Sequence, residues 1–372
     1  MLLSLPRAHE EVVTSLQFSP YHTSIICSTS GDDTAALWDL RLDQDECCIA
    51  RLVHHRQPTN HALFLESDGR LLLTASDDRT IACWDMRQLC QPVGEINGFG
   101  GGINKMLLAP ATVPERNERS QTPLLVSACD DGSVYLHSLN LGAPIAQNGH
   151  GAAEIPPLVP APTASPSVST PVVGSLVNRF LSSTSTVNDV VLSPNPNHLL
   201  TASEDHAVRL WCIFPTAGGL VTSFDEFENP VNHVAVRHHE EGLLPSGVGR
   251  TSNCWVYAAC SECVFAVDLD PSTGAFGDGA RTFTGHRDYV RGLEFIGPDT
   301  LLTVSDDSTA IEWSIRTTHV VRQVRLHEGF VMASATSAAC DLLVTGTDEG
   351  EMRVWRLPFR TETCCDAIVG SK

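Results

Sequence analysis

ICSTSGDDTAALWDLR (26–41) returns as LTASDDRTIACWDMR (73–87), LTASEDHAVRLWCI (200–213), LTVSDDSTAIEWSI (302–315) and VTGTDEGEMRVWRL (344–357). Each copy reads as a strand of small residues, a tight turn rich in acidic residues, and an alternating strand that ends in Trp, which together make a hairpin. Self-similarity at a period of this size is the signature of an array of like units stacked on one another. Each hairpin is preceded by another short strand that ends in a turn, as in VVTSLQFSP (12–20), NHALFLESDG (60–69), VNDVVLSPN (187–195) and YVRGLEFIGP (289–298). The stretch after each Trp supplies a fourth strand, so the unit is a four-stranded sheet.

Two degenerate copies keep the frame: VSACDDGSVYLHSL (126–139), with His137 in the Trp position, and VYAACSECVFAVDL (256–269), with Val267 there. Counting them gives seven units, with Trp-equivalent positions at 38, 84, 137, 211, 267, 313 and 355. Eight is the alternative count. The uneven spacing marks inserted loops.

The pairs Gly285-His286, Trp38-Asp39 and Trp84-Asp85 resemble the signature of the WD-repeat family, over residues 2 to 357. The resemblance implies an all-β, seven-bladed β-propeller in a single domain, 1–357, with a C-terminal tail at 358–372. It also implies closure of the ring by the N-terminal strand, Leu2 to Leu5, completing the last blade, which removes an aggregation-prone edge. Residues 143–174 hold seven prolines among Ala, Ser, Thr and Gly, a composition that buries too little apolar area to offset its ordering entropy. An insertion at 143–183 is therefore expected to be disordered, with a short helix at 176–183, between blades three and four on the face of the Asp turns.

His9, Ser30, Asp32 and Trp38 recur as His55, Ser76, Asp78 and Trp84, and again as His286, Ser305, Asp307 and Trp313. His, Ser and Asp together invite a hydrolase reading. A catalytic site is one constellation, whereas these recur at the period of the blades, so they are read as structural. By resemblance to the family they form a buried hydrogen-bonded network in each blade. Blades three to five depart from it: GFGGG (98–102) replaces the His segment of blade three, Ser183 stands at the His position of blade four, and blade five lacks the set. They are expected to be the less rigid half. Blade seven has His327, Thr347 and Trp355, with Glu349 for Asp.

No metal site and no cofactor are expected. Cys260 and Cys263, with His233, His238 or His239 nearby, make one CxxC without a second, short of the four ligands that structural zinc needs. With 24 Lys plus Arg against 44 Asp plus Glu, the net charge is −20. That balance repels nucleic acid and anionic membranes. Thirteen cysteines, several within apolar strands, suit a reducing compartment. Without a signal-like N-terminus or a long apolar run, the protein is expected to be intracellular, in cytoplasm or nucleus, with no membrane insertion.

The functional expectation is a non-enzymatic protein–protein interaction scaffold, a subunit of a larger complex. Asp77, Asp130, Glu204, Asp306 and Asp348 precede the turn carboxylates and would favour a basic or amphipathic segment on that face. WDLR (38–41) and WDMR (84–87) resemble the WDxR box of substrate receptors of cullin-RING ubiquitin ligases, which implies an adaptor site at Arg41 and Arg87 on the opposite face. The same box occurs in histone-binding chaperones and peroxisomal import receptors, so a chromatin-binding or import-receptor role is a further alternative.

Overall fold

The computed structural model describes residues 1–65, 70–110, 123–139, 173–213, 219–239 and 254–359. Its 28 strands form seven four-stranded antiparallel sheets. Six are continuous in sequence, spanning 13–53, 59–96, 103–181, 187–224, 231–284 and 290–325. The seventh joins Val331–Thr336, Leu342–Thr347 and Met352–Arg356 to Leu3–Leu5, so the N-terminal strand closes the ring as expected. Among the described residues no helix is long and apolar enough to cross a membrane.

The alternating pattern decides where the core lies. The second strands are buried along nearly their whole length, as in Ile25–Ser30 and Leu124–Cys129. A strand buried on both faces needs a neighbour on each side. Seven apolar clusters supply it, each shared by two adjacent blades; Leu37, Leu52, Phe64, Leu72 and Trp84, for instance, fill the seam between blades one and two.

Each hairpin turn holds one residue in the left-handed region: Asp33, Arg79, Gly132, His206, Ser261, Ser308 and Gly350. Glycine is required at two of these, because a Cβ on Gly132 would lie 2.3 Å from the Ser183 carbonyl and one on Gly350 2.3 Å from the His9 carbonyl. There the chain entering the next blade presses onto the turn.

Three boundaries differ from expectation. Residues 174–181 are neither disordered nor helical: Gly174–Leu181 is the outer strand of blade three, paired with Ser133–Leu139. A short apolar run has no decisive period, and pairing with an open edge settles it as a strand. The insertion thus joins the third and outer strands of blade three and leaves from the face opposite the Asp turns; residues 140–172 lie outside those described. At the C-terminal end, Phe359 is buried beside Trp355 and Leu357, so the propeller reaches past 357.

Candidate interaction faces and the buried blade networks

In blade one, His9 Nδ1 lies 2.9 Å from Asp32 Oδ2 and its Nε2 lies 2.7 Å from Ser28 Oγ, which also accepts a bond of 2.8 Å from Trp38 Nε1. Blade two repeats this with His55, Asp78, Thr74 and Trp84, and blade six with His286, Asp307, Thr303 and Trp313. The hydroxyl between His and Trp is therefore Ser28, Thr74 or Thr303, and not the expected Ser30, Ser76 or Ser305. Those three serines stabilise the turn instead: each accepts the backbone N–H of its Asp and donates to a carbonyl of the entering chain. Both hydroxyls lie on one face, two residues apart, but only the deeper one meets the indole.

Indole N–H only donates, so in the neutral network the shared hydroxyl gives its own proton to His Nε2. The ring proton then sits on Nδ1, facing the carboxylate. Burial pushes Asp32, Asp78 and Asp307 upward, yet the His and Thr hydrogen bonds outweigh it and hold all three low, Asp307 at about 2. The bridging hydroxyl is buried and occupied on both sides, so it is not placed to attack a substrate.

Blade seven is complete by a shift of two residues. Glu351, just before the third strand, and not Glu349, meets His327 at 3.2 Å, and Thr345 bridges His327 and Trp355. Blades three and four carry substitutes. In blade three, Tyr135 Oη donates to Asp131 at 2.7 Å and accepts from Gly100 N–H at 2.9 Å, while Arg179 pairs with the same Asp. The glycines fit because a Cβ on Gly100 would meet Asp131 Oδ2 at 2.1 Å. In blade four, Ser182 bonds Thr201, Ser183 bonds Ser203 and Asp205, and Arg209 pairs with Asp205. Among the described residues, blade five shows no His–carboxylate–hydroxyl–Trp set of this kind.

The turn acids expected to attract a partner are largely engaged. Arg291 holds buried Asp306 through three contacts of 2.7–3.0 Å. Asn60 bonds Asp77, Asn104 bonds Asp130 at 2.8 Å, Ser185 bonds Glu204 at 3.2 Å, and Asp348 takes the Phe330 N–H at 3.1 Å. Burial raises Asp77, and Asp130 nearby adds to it. Glu10, Glu11, Asp130, Glu204, Asp225, Glu226, Glu228, Glu262, Glu328 and Glu349 stand exposed on this face, beside the exposed Arg7, Arg56, Arg79 and Arg287.

Arg41 and Arg87 lie on the opposite face, at the ends of the third strands of blades one and two. Arg41 Nε and Nη2 grip Asp39 at 2.9 and 2.7 Å, and Arg87 grips Asp85 at 3.1 and 2.9 Å, where Arg70 joins at 2.8 Å. Their side chains remain 68% and 58% exposed. A bidentate fork to a carboxylate two residues away braces the turn.

Cys260 and Cys263 are paired across a two-residue hairpin, but the Cys260 thiol donates to the Asn229 carbonyl and the histidines near them in sequence go elsewhere. His233 pairs with Asp189 of blade four at 3.0 Å, and His239 with Tyr257 Oη at 2.6 Å.

Sequence reasoning found the inner strands but missed what they do at the seams. Thr59-Asn60, Ile103-Asn104, Val187-Asn188 and Val231-Asn232 open four consecutive ones. Asn60, Asn104 and Asn188 each donate across the seam to the first carbonyl of the next blade, those of Ile103, Val187 and Val231, at 3.0–3.2 Å. The recurring β-branched-Asn pair was the available signal. One residue further on, Lys105, Asp189 and His233 form a chain of charge around the centre, with Lys105 Nζ 3.9 Å from Asp189. Burial opposes ionisation of Asp189, but Lys105 and His233 hold it at about 2.

Burial pushes Glu294, on the inner strand of blade six against Thr336, up to about 7, with Lys105 drawing it back. A carboxyl raised on folding contributes stability below its unfolded pKa and loses it as pH rises through the folded value. Glu294→Gln is therefore expected to match the parent near about pH 5 and melt higher near about pH 8. Equal melting temperatures at both values would show that the group is not buried as a carboxylate.

The WD domain, G-beta repeat model matches residues 2–39, 46–85, 174–212 and 277–314. Nuclear distribution protein PAC1 of Arthroderma otae is 24% identical over 318 residues, covering 83% of this chain and 60% of that protein. Apoptotic protease-activating factor 1 of Rattus norvegicus is 23% identical over 379 residues, covering 96% and 26%. The chain thus spans about three-fifths of one relative and a quarter of the other. Among solved structures, the WD40 beta propeller domain of Doa1 superposes with a TM-score of 0.65 at 16% identity, over 98% of each chain. Four matched WD repeats within a ring of seven like-built four-stranded blades show that this chain carries WD repeats in a seven-bladed β-propeller.

Proposed function

We propose that the chain is a non-catalytic interaction scaffold inside the cell, a subunit of a larger assembly, whose Asp-turn face receives a basic or amphipathic protein segment. One observation carries this reading: exposed acids, among them Glu10, Glu11, Glu204, Glu328 and Glu349, outnumber the exposed arginines Arg7, Arg56, Arg79 and Arg287 on a rim whose backbone is held by the blade networks. A rigid rim with an excess of one charge sign steers an oppositely charged partner. All eleven described cysteines are free thiols, in keeping with a reducing compartment.

The test uses immobilised protein and synthetic peptides of basic, neutral and acidic composition. Basic peptides are expected to bind, to release as salt rises, and to be lost in the triple variant Glu10→Lys, Glu328→Lys, Glu349→Lys, whose melting temperature stays near that of the parent. Equal retention of acidic peptides would remove the reading. The braced forks of Arg41 and Arg87 favour a structural role over a ligase-adaptor site, and the chromatin and import-receptor alternatives are separated by whether a basic segment is bound at all.

A further inference from the structure

Three aromatic side chains are largely exposed among the described residues: Tyr21, Tyr289 and Phe330. Tyr21 lies in the loop between the first two strands of blade one, on the face opposite the Asp turns. Tyr289 and Phe330 share one position on neighbouring blades. Each immediately precedes the first residue of its inner strand, Val290 or Val331. Each also gives its carbonyl to the turn of its own blade, Tyr289 to Asp306 N–H at 3.0 Å and Phe330 to Asp348 N–H at 3.3 Å. Both therefore stand at the mouth of the ring on the Asp-turn face. The corresponding places in the first four blades hold Val12, Pro58, Gly102 and Thr186.

The surroundings select what these rings can receive. Tyr289 is 43% exposed and Phe330 51%, and their backbones are fixed, so little ordering is needed on binding. Arg291 lies over the Tyr289 ring at 5.4 Å but is itself neutralised by Asp306. Beside Phe330 the charge is negative: Glu328 and Glu349 are exposed, and Asp348 is partly so. Single exposed apolar residues mean little, but two rings at equivalent places on neighbouring inner strands, beside acids, match an apolar anchor flanked by cations.

We propose that Tyr289 and Phe330 form the anchor seat of this face, taking one aromatic or long aliphatic side chain of a partner segment whose neighbouring Arg or Lys residues meet Glu328, Asp348 and Glu349. This rests on the reading of the face as a site for basic segments and adds a sequence requirement to it: charge alone is insufficient.

The experiment measures the affinity of the intact protein for three synthetic peptides, one with Trp between arginines, one with that Trp replaced by Ser, and one with Trp between serines. The first is expected to bind about tenfold or more tightly than either of the others. In Tyr289→Ser with Phe330→Ser its advantage over the Ser peptide disappears, while the melting temperature stays close to that of the parent because both rings are exposed. Phe330→Leu, which keeps an apolar surface, retains most of the advantage. Equal binding of both basic peptides, unchanged in the double variant, would overturn the anchor seat and leave the charge reading standing. Equal binding of both Trp peptides would overturn the required cations, and binding of none would overturn both readings.

Discussion

Trp313→Ala is expected to lower the free energy of unfolding by about 3–5 kcal/mol, as large-to-small changes of buried aromatics do. The side chain is 1% exposed, packs edge-on to Phe283, and lies in the apolar seam between blades five and six. The companion change Thr303→Val separates packing from hydrogen bonding, since it nearly keeps volume while removing the one hydroxyl that serves both Trp313 Nε1 and His286 Nε2. Each buried group left unpaired costs about 1–3 kcal/mol, so this variant should also melt well below the parent. Ser305→Ala, which loosens only the turn, should cost less, about 1 kcal/mol. Denaturant unfolding checks all three. A Thr303→Val variant as stable as the parent would mean that the network orders the blade without stabilising it.

The difference between those two hydroxyls also shows where sequence reading stops. The Trp-ended hairpins, the turn acids and the ring of seven were legible because they repeat at a fixed frame, whereas closure by the N-terminal strand was implied by the family resemblance alone. Ser28 and Ser30 were not distinguishable, because a period of two places both on one face and only the direction of the indole chooses between them. The Tyr135–Asp131–Arg179 network was hidden for another reason, its side chains coming from positions other than the ones they replace, while in blade four the His position is held by Ser182, one residue before the expected Ser183, which bonds Thr201 as His9 bonds Ser28. The outer strand of blade three stood apart from its blade behind a long insertion, so its pairing partner could not be inferred from proximity. On the Asp-turn face, the position of each acid was read correctly but its availability was not. Asp306 and Asp77 find partners in Arg291 and Asn60 from inner strands, whose side chains follow no acidic motif.

Removing residues 1–5 is expected to be as damaging as any core substitution, although the segment contributes a strand of three residues. Leu3, Ser4 and Leu5 pair with Val354, Arg353 and Met352, and the Leu2 N–H adds a bond of 2.7 Å to the Val354 carbonyl. Leu5 is buried in the seam between blades seven and one, and Ser4 Oγ donates to Glu351, the carboxylate that completes the blade-seven network with His327. Deletion therefore removes apolar burial, loosens Glu351, and leaves the edge of Met352–Arg356 open to other chains. Loss of the leucine side chain alone is worth about 2–5 kcal/mol, and an unpaired edge strand promotes association. The shortened protein should melt at lower temperature and elute partly as aggregate, and a synthetic peptide of residues 1–7 supplied in excess should restore the monomer and raise the melting temperature. A peptide with Leu5→Asp, which would place a carboxylate in the apolar seam, should fail to do so. A shortened protein that remains monomeric and melts like the parent would show that the ring is held by its blade seams alone and that closure by the N-terminal strand adds no stability.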